Sequence, residues 1–88
     1  LPLDEIKIDK IFVRHMTTHH KHERIVDSMI NLAHRLNLTV VAEGVEDTET
    51  YKRLKALGCD VIQGYLVGKA MPLADLIRTI KHPPPKLA

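Results

Sequence analysis

The stretch that decides the fold of this chain is Thr39-Val40-Val41-Ala42-Glu43-Gly44-Val45-Glu46. Its apolar run, residues 40–42, is short, continuous and rich in valine, which is typical of a strand buried on both faces in a parallel sheet. Gly44 allows the backbone to turn sharply after that strand. Glu43 is therefore predicted to lie at the carboxyl end of a buried strand, where α/β barrels and doubly wound α/β enzymes place their reactive groups.

Further strands are predicted on both sides of this stretch. Residues 5–9 alternate strictly between polar and apolar, so Ile6 and Ile8 share one face of a strand and Lys7 lies on the other. In an open sheet Lys7 would face solvent, whereas in a closed barrel it would face the lumen and the isoleucines would face outer helices. Residues 59–65 show the same pattern as residues 39–46, a short apolar strand followed by a polar residue and a glycine.

Helices are predicted between these strands. Apolar residues keep helical spacing from residue 23 onward, with an inner face formed by Ile25, Val26, Met29, Ile30, Ala33 and Leu36. Asn37 is expected to end this helix in a left-handed conformation. The next helix is expected to start at an Asp47-Thr48 cap and to end at Gly58. Pro72 is predicted to open a last helix, whose inner face is formed by Leu73, Leu76, Ile77 and Ile80.

The order strand, helix, repeated three times, predicts an α/β fold with parallel strands joined by right-handed crossovers. A complete eight-unit barrel needs about 250 residues, and this chain has 88. The fold class is therefore predicted to be part of a TIM-like (βα) barrel with three βα units. Since the first residue is Leu1, the sequence is expected to be a piece of a longer chain.

Composition excludes several functional classes. The net charge of +2 comes from 13 basic and 11 acidic residues, and only three residues are aromatic, so neither charge nor stacking favours binding to a nucleic acid polymer. Cys59 is the only cysteine, so no intrachain disulfide forms, as is usual in a reducing cytoplasm. No apolar run is long enough for a membrane span, and no signal peptide is visible. A cytoplasmic protein without membrane contact in this segment is expected.

A polar residue lies near the carboxyl end of each predicted strand: Lys7, Glu43 and Gln63. On adjacent parallel strands, these side chains would point into one shared bowl. A carboxylate can hold a divalent metal, and an ammonium can orient water and offset developing charge, which suits phosphoryl chemistry. An alternative interpretation is that Lys7 and Glu43 form a structural pair that caps the sheet.

Two other signals have simpler interpretations. His15, His19, His20 and His22 cluster in the sequence and could hold a soft transition metal, but an exposed polar loop is the favoured interpretation. Cys59 follows Gly58 at the start of a strand and is expected to be packed rather than nucleophilic.

Three motifs carry a resemblance to a known family. They are Leu1 to Asp9 followed by Phe12-Val13, then Val40 to Glu46, and then Gly58-Cys59-Asp60 with Gln63-Gly64-Tyr65. Together, and in this order, they resemble the C-terminal part of an EAL domain, a family of bacterial phosphodiesterases that hydrolyse cyclic di-GMP. The resemblance implies a modified TIM barrel, with residues 1–82 as its C-terminal part.

The resemblance also implies roles for individual residues. Lys7 matches the lysine that contacts the water or the phosphate at the scissile bond, and Glu43 matches the glutamate that contacts a metal or the attacking water. Glu46 matches a residue that shapes the site, and Gln63 one at the rim of the pocket. Asp9 is expected to support the site, although pairing with a neighbouring lysine remains open.

The metals that the family uses are Mg²⁺ or Mn²⁺, and most of their ligands lie upstream of the residue that matches Leu1. We therefore expect that no metal is fully bound by this fragment and that the fragment alone is inactive. The alternative is a catalytically silent EAL-like domain that acts as a cyclic di-GMP receptor or as a protein-interaction module.

Two expectations concern the fragment itself. Three βα units leave two sheet edges open, so we expect the fragment to form a homo-oligomer. Residues 83–88 are interpreted as a proline-rich tail, and Lys86-Leu87-Ala88 at its end as vector-derived.

Overall fold

The computed structural model of the chain describes residues 5–66 and 71–76, and the side chains of residues 5–65. The elements are strand β1 (Glu5–Ile8), helices α1 (Lys10–His15) and α2 (His20–Arg35), strand β2 (Thr39–Val45), helix α3 (Thr48–Leu57), and strands β3 (Val61–Leu66) and β4 (Met71–Leu76). They form one sheet in the order β1-β2-β3-β4. The β1–β2 and β2–β3 pairs are parallel, which confirms the predicted α/β class with three parallel strands.

The core lies between one face of this sheet and the helices. Ile8, Ala42 and Ile62 are register partners across the three parallel strands, and each is completely buried. Helix α2 adds the buried residues Val26, Ile30 and Ala33, and α3 adds Leu54. A shift of one residue in any strand would turn its buried side chains to the other face, so this apolar layer fixes the register.

Helix α3 begins and ends, and helix α2 ends, where the sequence indicates. Asp47 caps α3 by accepting a 2.7 Å hydrogen bond from the backbone N–H of Thr50. At the end of α2, Asn37 adopts a φ of 64°, and the N–H of Leu38 donates to the carbonyl of Ala33 at 2.8 Å. Gly58 closes α3 in the same left-handed way. Both ends have the hydrogen bonds of a Schellman motif, in which the left-handed residue lets the chain leave the helix directly for the next strand.

The predicted helix after Pro72 is wrong. Residues Met71–Leu76 form β4, which pairs antiparallel with β3, and Pro72 is the register partner of Tyr65. Proline is tolerated both at the first turn of a helix and on an edge strand, so the local sequence does not distinguish the two. The open edge of β3 decides the outcome. Three parts of the sequence prediction lie outside the described residues: positions Ile77 and Ile80, residues 1–4, and the boundary between residues 1–82 and 83–88.

The predicted inner face of α2 is too wide. Its buried residues lie along one narrow line, whereas the side chains of Ile25 and Leu36 are 41% and 57% exposed. Met29 is partly buried against the core. The helix also starts earlier than the strong apolar pattern does, at His20, after a short turn that separates it from α1.

Among the described residues, no helix is long and apolar enough to cross a membrane.

One polar cluster joins three elements at the end of the sheet opposite to Glu43. The carboxylate of Asp60, just before β3, accepts hydrogen bonds from Nε2 of His34 in α2 and from the backbone N–H of Val40 in β2, both at 2.8 Å. The side chains of His34 and Asp60 are only 18% and 14% exposed. A carboxylate that is largely withdrawn from water needs such donors, because an unsatisfied one would be costly.

We predict that Asp60→Asn destabilises the protein by about 1–3 kcal/mol, because the amide loses the charge that strengthens both hydrogen bonds. Urea unfolding followed by circular dichroism measures this difference. Asp27→Asn is the matched control, since Asp27 accepts an exposed hydrogen bond from Asn31 within α2, and we expect it to change stability by less than about 0.5 kcal/mol. Equal effects of the two substitutions would contradict the role assigned to Asp60.

Candidate active site

The polar face of the parallel sheet carries the predicted site residues. Lys7 is the register partner of Val41, and Val41 is the partner of Val61. Because side chains alternate along a strand, these residues lie on the face opposite to the helices, where Val41 is buried. Glu43 and Gln63 come two residues further along β2 and β3, toward the carboxyl ends of the strands. Lys7, Glu43 and Gln63 thus lie on one side of the sheet, while Ile8 lies in the core and Ile6 packs against it on the other side.

Lys7 and Glu43 form an ion pair. Nζ of Lys7 lies 3.6 Å from Oε2 of Glu43, and the two side chains are 59% and 44% exposed. Exposed ion pairs of this kind contribute only about 0–1 kcal/mol to stability. The small contribution to stability does not explain why an ammonium and a carboxylate are held together at this position, so a purely structural role in capping the sheet is disfavoured.

A bulge in β2 allows Glu43 to lie on this face while Val45 returns to the core. Ala42 pairs with Ile62 and Val45 pairs with Gly64, so β2 spans three residues where β3 spans two. With strict alternation, Val45 would share the face of Glu43. The extra residue instead returns Val45 to the core, where it is completely buried, while Glu43 remains partly exposed. Bulges that re-aim a side chain in this way are common next to active sites.

Two glycines make this local geometry possible. Gly44 has a φ of +76°, and a Cβ atom at this position would lie 2.6 Å from Cβ of Lys10, the first residue of α1. A Cβ on Gly64 would lie 2.0 Å from the backbone oxygen of Val45. Real Cβ atoms do not approach other atoms so closely. Strand β2 therefore needs glycine at position 44, and β3 needs glycine at position 64. Sequence reasoning interpreted Gly44 as a sharp turn and missed both the bulge and the contact with Lys10.

The remaining predicted site residues lie around this pair. Gln63 is exposed on β3, and Glu46 is exposed immediately after β2. The side chain of Asp9 caps α1 by accepting a 2.9 Å hydrogen bond from the N–H of Ile11. Asp9 therefore holds the start of the helix that lies against Gly44, and it forms no ion pair with Lys7 or Lys10 among the described contacts. The individual roles of these residues remain predictions.

The described residues do not complete a metal site of the kind that the sequence suggested. Within residues 5–66 and 71–76, no three His, Cys, Asp or Glu side chains are arranged to hold a metal ion. Glu43 offers one carboxylate, whereas a hard divalent cation needs several oxygen ligands. Further ligands would have to come from outside this set.

Cys59 is not a nucleophile of this site. The side chain is completely buried, and its thiol lies 3.6 Å from the carbonyl oxygen of Val40 and 3.3 Å from that of Val61. Burial raises the pKa of the Cys59 thiol to about 11. Because the thiolate is the reactive form, Cys59 stays protonated and inert at neutral pH, as predicted.

The carboxyl ends of parallel strands, where Lys7 and Glu43 lie, are where (βα) barrels place their reactive groups. The sequence matches the EAL domain family over residues 1–70. The chain belongs to this family, which confirms the resemblance found in its motifs.

Curated relatives agree with this assignment. The chain is 41% identical over 71 residues to the cyclic di-GMP phosphodiesterase RocR of Pseudomonas aeruginosa, covering 81% of this chain and 18% of RocR. It is 38% identical over 81 residues to the probable cyclic di-GMP phosphodiesterase PdeN of Escherichia coli, covering 92% of this chain and 16% of PdeN. The chain thus spans less than a fifth of the length of these relatives.

Solved structures give the same fold. The PaMucR phosphodiesterase in complex with c-di-GMP superposes with a TM-score of 0.71 at 38% identity, over 83% of this chain and 29% of that one. BlrP1 of Klebsiella pneumoniae, in a complex with manganese and cy-diGMP, gives a TM-score of 0.70 at 34% identity, over 83% of this chain and 18% of that one.

Proposed function

We propose that this chain is the C-terminal part of an EAL-type barrel that hydrolyses cyclic di-GMP to linear pGpG. Residues 1–82 would form that part, and residues 83–88 a tail outside it. The observation that carries the proposal is the 3.6 Å pair of Lys7 and Glu43 on the exposed face of a parallel sheet, in a chain that matches the EAL family. The cyclic di-GMP named for RocR and PaMucR supports this choice of substrate class.

Lys7 contributes a positive charge at the carboxyl end of β1. Attack of water on a phosphodiester forms a new P–O bond and breaks the bond to the leaving 3′ oxygen, and negative charge builds up on the phosphoryl oxygens. A fixed ammonium near those oxygens stabilises the transition state more than the ground state. The partly exposed ammonium of Lys7 can also hold the attacking water in position.

Glu43 contributes the carboxylate. It lies close enough to Lys7 that one water molecule could contact both groups, and a carboxylate in this position can orient that water and accept a proton from it. The bulge returns the next buried residue, Val45, to the core, while Glu43 stays on the polar face. The strand thus presents the carboxylate without loss of its packing.

The donor set of this chain suits Mg²⁺ or Mn²⁺ only in part. Glu43 provides one hard oxygen ligand, and the described residues do not complete the site. Such an ion, when bound, lowers the pKa of a coordinated water and offsets phosphate charge. The metal would therefore be held mainly by residues that are not in this set. Manganese in the BlrP1 complex supports the choice of ion.

The surrounding residues are proposed to shape the site. Glu46 and Gln63 are exposed near the carboxyl ends of β2 and β3 and can contact the dinucleotide. Asp9 acts on the site indirectly, because it caps α1 and so holds Lys10 against Gly44.

We predict that Lys7→Ala and Glu43→Gln each reduce cyclic di-GMP hydrolysis by the complete domain by at least about a hundredfold, because each removes a charge that acts on the transition state. Product formation is measured by chromatography with Mn²⁺ present. Both variants should change the free energy of unfolding by less than about 1 kcal/mol.

Lys52→Ala, a substitution of an exposed residue of α3, is the matched control and should retain full activity. Binding of cyclic di-GMP without hydrolysis by the unsubstituted domain would favour the alternative, a silent receptor. Loss of stability rather than activity in the variants would favour a structural pair.

We predict that the purified 88-residue chain does not hydrolyse cyclic di-GMP, with Mg²⁺ or with Mn²⁺, because Glu43 alone cannot hold the metal. The same assay measures this outcome, with the complete domain as positive control. Turnover by the isolated chain that disappears in Lys7→Ala would show that these residues suffice.

We also expect the isolated chain, a cytoplasmic protein in its proposed setting, to form a homo-oligomer. Among the described strands, β1 is paired on one side only, and an unpaired edge strand favours pairing with a second copy. Multi-angle light scattering at micromolar concentration measures the mass. A stable monomer would contradict this expectation.

A further inference from the structure

Tyr65 is an exposed aromatic residue near the carboxyl end of β3, and the proposed chemistry makes no use of it. Its side chain is 63% exposed. The chain has one phenylalanine, two tyrosines and no tryptophan. The other two of these rings, Phe12 and Tyr51, pack against the hydrophobic core. Core packing therefore accounts for two of the three rings but not for that of Tyr65.

Tyr65 also differs in position from the other exposed large apolar side chains. Among the residues whose side chains the structure describes, those others belong to α1 or α2 or directly follow α2: Ile11, Ile25, Leu32 and Leu36. Tyr65 is the one that lies in the sheet. Single exposed apolar residues are common on protein surfaces, so its position beside the proposed site, rather than exposure by itself, points to a function.

The alternation of side chains along β3 places Tyr65 on the polar face of the sheet. Ile62 is completely buried in the core. Gln63 and Tyr65, one and three residues further on, therefore lie on the opposite face, the one that carries Lys7 and Glu43.

The register gives the separation between Tyr65 and the reactive pair. Since Ala42 pairs with Ile62, Glu43 lies beside Gln63, and Tyr65 follows Gln63 by two residues. With about 4.8 Å between strands and about 3.3 Å per residue along a strand, the Cα atoms of Glu43 and Tyr65 are about 8 Å apart.

Strands on both sides hold the backbone at this position. Gly64 pairs with Val45 of β2, and Tyr65 itself pairs with Pro72 of β4. The close approach of Gly64 to the backbone of Val45 leaves no room for a side chain at position 64. A tyrosine has only two side-chain torsions, so a ring on such a backbone offers contact area at a small cost in conformational entropy.

The proposed substrate offers a group that suits this ring. Each guanine of a cyclic guanine dinucleotide is separated from the phosphates by one ribose, a span comparable with the separation between Glu43 and Tyr65. A phosphodiester at the Lys7–Glu43 pair thus brings a base within reach of Tyr65. Aromatic side chains stack on the π-face that every base presents. One exposed ring is too few for a nucleic acid polymer, but it suffices for one base.

We propose that Tyr65 stacks its ring on one guanine of the cyclic dinucleotide and so positions the scissile phosphate at Lys7 and Glu43. This inference rests on the proposed phosphodiesterase function and adds a substrate-binding residue to it. The stack forms in the bound substrate and persists in the transition state, so it contributes to binding in both. Its loss therefore raises KM and leaves kcat nearly unchanged.

Tyr65→Leu and Tyr65→Phe in the complete domain test the proposal. Steady-state hydrolysis of cyclic di-GMP with Mn²⁺ gives kcat and KM, and calorimetry in EDTA, where metal-dependent hydrolysis does not consume the ligand, gives Kd. Tyr65→Leu should raise KM and Kd about 5- to 150-fold, the range for loss of one base–aromatic stack, and change kcat less than about threefold. Tyr65→Phe keeps the ring and should stay within about twofold of the unsubstituted domain.

Proton NMR of the bound dinucleotide reports the stack directly. A ring that lies over a base shifts the guanine H8 proton upfield. We expect this shift in the unsubstituted domain and in Tyr65→Phe, and its loss in Tyr65→Leu. A purely structural role of Tyr65 would not produce the shift.

Tyr51→Leu is the matched control, because it makes the same substitution in α3, on the other side of the sheet. It should leave KM, Kd and the H8 shift unchanged, and circular dichroism establishes that each variant is folded. Unchanged Kd in Tyr65→Leu, a lower kcat at constant KM, or equal effects of Tyr51→Leu and Tyr65→Leu would overturn the stacking.

These outcomes separate the stacking from the proposed function. Hydrolysis by the unsubstituted domain together with an unchanged KM in Tyr65→Leu contradicts the stacking only. Binding without hydrolysis contradicts the phosphodiesterase function, while Kd and the H8 shift still decide whether Tyr65 contacts the base. If the unsubstituted domain does not bind cyclic di-GMP, both proposals are wrong.

Discussion

The pairing of β2 with a parallel strand on each side is the constraint on which the rest of the structure depends. Thr39–Val45 lies between β1 and β3, and the buried partners Ile8, Ala42 and Ile62 fix the register of all three strands. Because the strands run in the same direction, their carboxyl ends meet at one edge. This arrangement alone brings the ammonium of Lys7 to the carboxylate of Glu43, although 36 residues separate them in the chain.

The same strand has to serve the core and the polar face, and the bulge reconciles the two demands. Without an extra residue in β2, Glu43 and Val45 would point to the same side. With it, Val45 packs completely into the core while Glu43 remains partly exposed. The cost is a need for glycine at two positions, since side chains on Gly44 and Gly64 would collide with Lys10 and Val45. Gly64, near the carboxyl end of β3, is therefore needed for β2 to present Glu43 on the polar face.

Some features were predictable because they depend on local rules. The caps at Asp47, Asn37 and Gly58 follow from residue types that satisfy helix ends, and the inert state of Cys59 follows from its place at a strand start in an apolar setting. Other features were not predictable. Pro72 fits the start of a helix or an edge strand equally well, and only the open edge of β3 selects the strand. The exposure of Leu36 likewise does not follow from helical spacing, because Leu36 comes after the last residue of α2.

The sequence by itself determined the alternation of β1, α2, β2, α3 and β3, the family, and the residue types at the site, because these depend on periodicity and on motifs that are contiguous in the chain. The tertiary structure decided what depends on distant contacts. It placed a bulge between Ala42 and Val45, where Gly64 lies against the backbone of Val45, and it made residues 71–76 a strand. It also brought three histidines from two helices within ring contact, because the turn between α1 and α2 sets a spacing that sequence separation does not specify.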